Sequence, residues 1–300
     1  MDHDFKGKVA VVLGGGQMPG GEELGAMGNG RAICVDLARH GATVVPVGRN
    51  LDRVQATVDI IEKEGGKGWA YSADAIHRDQ MAKLFKDVKE KYGRVDYMVY
   101  VIGTNLEFDH ATNTATNDAV ARLFHIDFTG CVWATLESAP YMIENETGGA
   151  IVNVSSIASK QNGTGISLGY GMYSCAKAAM NKWSELSAVY YAPLGVRINT
   201  LVLGPVRSVM GILDLTKLAG GISVERAEAQ GNAAVLLKGG RKSTQETANA
   251  VTFLLSDESK FVTGLEFVLD GGTALRRGPD PEMVQIRTKQ ILEELEAAKH

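Results

Sequence analysis

Short apolar runs alternate with helix-patterned stretches along most of this chain, and that alternation restricts its fold more than any other feature. Residues 8–13, 43–47, 69–73, 95–101, 150–154, 196–202 and 265–269 read as strands. Between them, residues 31–40, 51–64, 78–92, 116–143, 173–191 and 244–255 carry apolar residues at helical spacing. Strands and helices alternating at this rhythm predict one α/β domain, with a parallel sheet covered by helices on both faces. The stretch 207–242 breaks the rhythm, and a long insertion in a compact fold reads as a substrate lid loop. After residue 275, Asp280 and Pro281 form a helix-start signal, and Val284, Ile291, Leu292 and Leu295 share a stripe. We therefore expect a main domain over 1–275 and a helical extension over 276–300. The extension either packs on the domain or serves an oligomer contact or pocket cover.

Composition removes several function classes. The 300 residues are 45% hydrophobic and 22% charged, ordinary for a globular chain. A net charge of −4 argues against a nucleic-acid coat or an anionic membrane surface. Cys34, Cys131 and Cys175 show no C-x-x-C spacing, so neither a disulfide framework nor a zinc site is expected. The N-terminus carries no apolar leader, and no apolar run is long enough to span a bilayer. The expectation is a cytoplasmic protein without nucleic-acid or membrane partners and without a metal.

The 35 glycines are the unusual figure. The first apolar run ends in Gly14-Gly15-Gly16, and the first helix begins near Gly28-Asn29-Gly30. A glycine-rich strand-to-helix turn lets backbone approach a pyrophosphate, and the helix N-terminus offers N–H groups to it. Thirteen residues separate Gly14 from Gly28, far more than a minimal phosphate turn needs. The second strand runs into Gly48-Arg49. A carboxylate there would favour a free ribose 2′-hydroxyl; an arginine instead suits a 2′-phosphate, so NADP(H) is favoured over NAD(H). The bland alternative is a surface arginine.

The fifth strand runs into Ser155-Ser156, and Tyr173 lies four residues before Lys177. That spacing puts phenol and ammonium on one helix face. A neighbouring cation favours the phenolate and brings a poor acid–base group towards working pH. Ser156 would hydrogen-bond the substrate oxygen. The set suits proton transfer to or from an alcohol or carbonyl oxygen.

With these residues together, the chain resembles the classical short-chain dehydrogenase/reductase family from about residue 8 to 272. The resemblance rests on Gly14 with Gly28-Asn29-Gly30, Asp74, Gly103, Ser156, Tyr173 with Lys177, Arg197-Ile-Asn199 and Asp270-Gly271-Gly272. It implies a single Rossmann-like, doubly wound domain with a sheet of about seven strands, and usually a homodimer or homotetramer. It also implies hydride exchange between nicotinamide and a substrate carbon. Tyr173 would be the acid/base, Lys177 would bind the nicotinamide ribose, Ser156 would orient the substrate, and Asp127 would take the fourth catalytic place. Asp74 and Ala75 would contact adenine; Val206 and Ser208 would contact the carboxamide and phosphate. Tyr100 and Gly103 fall where the family contacts the ribose. The chain departs from the family at Tyr100-Val101-Ile102, where asparagines are usual, and at Asp127, where an asparagine is usual. The expected activity is interconversion of a ketone or aldehyde and an alcohol. The alternative is a nucleotide-binding regulator or scaffold without turnover. His110 and His125 read as scattered solvated or hydrogen-bonded histidines, with polar handles for a substrate as the alternative.

Overall fold

A computed structural model describes residues 4–103, 116–160, 168–218 and 222–275, with isolated helical positions at Lys289, Glu293 and Glu296. The expected extension over 276–300 otherwise lies outside the described residues. The sheet is parallel throughout the described residues, in the order β3-β2-β1-β5-β6-β7-β8, with β4 also on β2. Its strands are β1 (Val9–Leu13), β2 (Thr43–Gly48), β3 (Lys67–Gly68), β4 (Tyr71–Ser72), β5 (Tyr97–Tyr100), β6 (Gly149–Ser156), β7 (Val196–Leu203) and β8 (Glu266–Leu269). This is the covered parallel sheet that the alternation predicts, in the doubly wound, Rossmann-like arrangement that the resemblance implies.

The two faces follow from strand periodicity. Ala10 and Val12 pack with α1 (Asn29–Arg39) and α9 (Thr244–Leu255), against Ile33, Leu37, Val251 and Leu254. Val9, Val11 and Leu13 face the other way. There they meet Met81, Leu84, Cys131, Met142 and Met180 of α3 (Arg78–Tyr92), α5 (Gly130–Ile143) and α6 (Leu168–Tyr191). Burial on both faces is why these strands read as continuous apolar runs.

Four expectations are revised. The strand expected at 69–73 is two short pieces, and the gap between them falls at the level of Pro46, which has no N–H for the ladder. The single helix expected over 116–143 is α4 (Asn117–Phe124), a π turn over His125–Thr129, and α5. The Tyr100 hydroxyl donates to Ile126 O at 2.5 Å, and this bond ties the π turn to β5. The helix expected from Tyr173 begins at Leu168. The expected lid loop is largely helical, with α7 (Val209–Leu218) and α8 (Val224–Ala234).

Arg197 explains how β7 and α9 are joined. Its guanidinium donates to Leu254 O, Leu255 O, Ser256 O, Val262 O and Ser259 Oγ, at 2.8 to 3.3 Å, and so satisfies the C-terminal carbonyls of α9. Arg197→Ala removes five hydrogen bonds and leaves Leu255 O without its side-chain donor, and is expected to lower unfolding free energy by about 2–4 kcal/mol. Urea unfolding followed by circular dichroism checks this, and Arg197→Lys should recover only part of the loss because an ammonium cannot span the fork.

Candidate active site

β1 stops at Leu13 and the chain turns at Gly14, whose φ of +96° needs a residue without a side chain. The N–H groups of Gly14 and Gly15 both donate to Val47 O, at 2.9 and 3.1 Å, and draw the loop over the end of β2. A Cβ on Gly30 would sit 1.9 Å from Gly14 O, so the first turn of α1 rests directly on the loop backbone. Gly28 N–H donates to Gln17 Oε1 at 3.0 Å, which folds the long insertion back onto the helix start. Thr57 donates to Gly15 O at 2.9 Å and accepts from Arg31 Nε at 3.1 Å, which ties the loop to α2 (Leu51–Lys63). The Asn29 Oδ1 atom is buried with no hydrogen-bond partner among the described residues. A bare glycine surface, first-turn N–H groups without helical acceptors and a buried unpaired amide oxygen fit a pyrophosphate with its ribose.

The insertion is anchored at its far end as well. Arg207 donates to Leu24 O and Gly25 O at 2.9 and 2.6 Å and pairs with Glu228 of α8 at 2.9 Å. Glu228 also holds the buried Arg241 at 2.5 Å. Gln17, Thr57, Arg207 and Glu228 escaped the sequence reading, since their partners are distant in the chain.

Past the C-terminal ends of β5 and β6, Lys177 and Asp127 form a buried pair. Lys177 Nζ lies 3.1 Å from Asp127 Oδ1, with the two side chains 2% and 0% exposed. The ammonium also donates to Ile102 O at 3.1 Å. Gly103 makes room for this approach: a Cβ there would lie 3.0 Å from Asp127 Oδ1 and 3.1 Å from Lys177 Nζ. Lys177 Nζ sits 5.7 Å from the ring centroid of the half-buried Tyr173. Tyr173 and Lys177 thus lie on one face of α6, with the ammonium over the tyrosine ring.

Ser156 closes β6, and its Oγ accepts from Ala158 N at 3.2 Å, leaving its O–H to donate. Ser159 Oγ donates to Ser156 O at 2.7 Å and accepts from Asn181 Nδ2 at 3.0 Å. Asn181, one turn beyond Lys177, thereby fixes α6 against the strand end that carries Ser156. Sequence reading missed it.

The remaining expected residues sit as follows. Arg49 is exposed at the end of β2. Asp74 Oδ1 accepts from Ile76 N at 3.3 Å, next to the buried Ala75. Val206 follows β7, and Ser208 Oγ accepts from Gly211 N at 3.0 Å at the start of α7. Tyr100 requires correction. Its side chain is fully buried and its hydroxyl is bonded to Ile126 O, so the side chain supports the π turn and is not open to a ribose. Burial, then the neighbouring Cys131, Asp127 and Asp74, holds its phenol well above the ordinary range. Burial likewise pushes the Cys131 thiol up to about 12, opposed by the charge of Lys177.

A family model described as enoyl-(acyl carrier protein) reductase matches residues 25–274. The chain belongs to the short-chain dehydrogenase/reductase family. It is 30% identical to the human 3-oxoacyl-[acyl-carrier-protein] reductase over 89% of this chain and 98% of that one. It is also 30% identical to the 1-cyclohexenylcarbonyl-CoA reductase of Streptomyces collinus, over 84% of this chain and 85% of that one. A short-chain type dehydrogenase/reductase from Mycobacterium ulcerans superposes with a TM-score of 0.78 at 26% identity, covering 92% of this chain and 93% of that one. The chain is therefore a short-chain dehydrogenase/reductase, an oxidoreductase of a family that uses NAD(P)(H).

The tight contact at Gly30 gives a stability test. Gly30→Ala forces the Gly14 carbonyl to move and is expected to cost about 1–3 kcal/mol, read by thermal or urea unfolding. Gly65→Ala carries only the strain of a positive φ, with open space around the added methyl, and serves as the comparison.

Proposed function

We propose that the protein is an NADP(H)-dependent oxidoreductase that interconverts a ketone or aldehyde and the corresponding alcohol. The observation that carries this reading is the Tyr173–Lys177 pair, set beside the end of a glycine loop that fits a dinucleotide. The dinucleotide, when bound, supplies or accepts the hydride. The chain's own residues do the rest. Gly14, Gly28, Asn29 and Gly30 hold the pyrophosphate against the N-terminus of α1. Asp74 and Ala75 flank the adenine; Gly103, Val206 and Ser208 line the nicotinamide half. Lys177 holds the ribose hydroxyls and, through its charge, the protonation of Tyr173. Ser156 donates its O–H to the substrate oxygen, and Tyr173 exchanges the proton with that oxygen.

Arg49 supports the choice of NADP(H): it is exposed, and its side chain makes no ion pair among the described residues, so it is available to a 2′-phosphate. The outer face of α6 exposes Leu186, Val189 and Tyr190, which supports a homodimer or homotetramer. Unpaired Cys34, Cys131 and Cys175 agree with a reducing, cytoplasmic setting.

Tyr173→Phe is expected to lower turnover by roughly a thousandfold or more while dinucleotide affinity stays within a few-fold. Steady-state assays on a panel of ketones, with binding followed by NADPH fluorescence, test this. NADPH binding without turnover on any carbonyl, and indifference to Tyr173→Phe, would favour the regulator instead. Arg49→Ala should weaken NADPH binding by about ten- to a hundredfold and leave NADH binding unchanged. An unaltered NADPH/NADH ratio would overturn the cofactor assignment.

A further inference from the structure

We propose that Arg207 is a positioning residue that transmits occupancy of the glycine loop to α8, so that a bound dinucleotide steadies a helix in the stretch the sequence assigns to substrate binding. This rests on the reading of the glycine loop as the dinucleotide site.

α8 has little apolar surface with which to hold itself in place. Over Val224–Ala234 its buried residues are Ala227 and Gly231. A methyl group and a bare backbone bury far less than the Leu or Val side chains that dock most helices, so polar contacts take on that task. Glu228 supplies them: its two carboxylate oxygens meet Arg207 Nε at 2.9 Å and Arg241 Nη2 at 2.5 Å. Arg241 is buried, and a Cβ on Gly231 would collide with its guanidinium, so the helix lies directly on that charge. The Arg241 N–H also donates to Asn232 Oδ1 at 3.1 Å. The other neighbour of α8 is α7, which belongs to the same segment. The chain beyond α8 is fastened separately, by the N–H groups of Leu236 and Leu237, which both donate to Gly271 O at 3.1 Å.

Arg207 stands between this segment and the glycine-loop insertion. Its backbone is set by its N–H, which donates to Lys242 O at 2.8 Å. From that base Nη1 and Nη2 donate to Gly25 O and Leu24 O, at 2.6 and 2.9 Å, while Nε stays on Glu228. The two carbonyls end a short coil in which the N–H groups of Leu24, Gly25 and Ala26 donate to Gly20 O, Glu22 O and Gly21 O at 2.9 to 3.0 Å. At its near end the insertion reaches the start of α1 through Gln17, which accepts from Gly28 N–H at 3.0 Å. One planar guanidinium therefore grips both elements at once. Whatever fixes the glycine loop fixes the carbonyls that orient Arg207, and through Glu228 it fixes α8. Coupling between two sites needs such an element, with contacts to each.

The test is amide hydrogen exchange with and without saturating NADPH, in the wild-type protein and in Arg207→Met. The substitution removes the donors to Leu24 O and Gly25 O and leaves the buried Glu228–Arg241 pair in place. In the wild type, NADPH should slow exchange over residues 224–234 about fivefold or more, besides slowing it over 14–30. In Arg207→Met, NADPH should still protect 14–30 but leave 224–234 within about twofold of the unbound rate. Arg207→Gln takes its place if Arg207→Met does not fold. A merely structural contact would change α8 exchange by the same factor with and without NADPH, and that result overturns the proposal. So does wild-type protection confined to 14–30. An absence of NADPH protection anywhere would defeat the dinucleotide reading, and this inference with it.

Discussion

An ammonium group shut away from water beneath the end of the sheet is the constraint around which the rest of this site is arranged. Lys177 is almost fully buried, and such a charge is tolerated only with close partners of opposite polarity. Those partners come from two other elements: the carboxylate of Asp127 on the π turn and the carbonyl of Ile102 just past β5. The pair thus fixes α6, the π turn and the β5 end relative to one another. Tyr100 props the π turn from below, and the glycines at 103 and 130 supply the clearance that a side chain would remove. The position of Tyr173 is inherited from this arrangement.

The glycine loop after β1 follows a different principle. There the backbone does the shaping: Gly15 and Gly30 allow loop, strand and helix to approach closer than a Cβ would permit, and Gly14 turns the chain at positive φ. The long insertion is held at both ends, by Gln17 on the start of α1 and by Arg207 on its far carbonyls. Because Arg207 also grips Glu228, the glycine-loop insertion and the helical segment carrying α8 share one set of charges.

Much of this was legible in the sequence. The two-faced strands announced a sheet covered on both sides, and a spacing of four residues was enough to place Tyr173 beside Lys177. The glycines at 14, 28 and 30 read as a turn where backbone approaches a pyrophosphate; the structure adds a close contact between Gly30 and the Gly14 carbonyl that the sequence did not signal. The break in the strand at 69–73 had a visible signal in Pro46, but its effect falls on a neighbouring strand. The π turn had none, because it is held by a bond from Tyr100, far away in the chain. The same limit applies to Arg207, whose acceptors at 24 and 25 lie 183 and 182 residues away. The cap was read as a loop since its glycines and polar residues outweigh its short apolar stripe. Tyr100 was assigned to the ribose by alignment alone, whereas its size and an available carbonyl send it into the core.

The most direct measurement is a crystal structure of the protein with NADPH and an unreactive ketone analogue. The account predicts the pyrophosphate on the Gly14–Gly30 cradle, the nicotinamide beside Lys177, and the Tyr173 hydroxyl about 3 Å from the ketone oxygen. A dinucleotide bound elsewhere, or a Tyr173 hydroxyl turned away from the ketone, would contradict it.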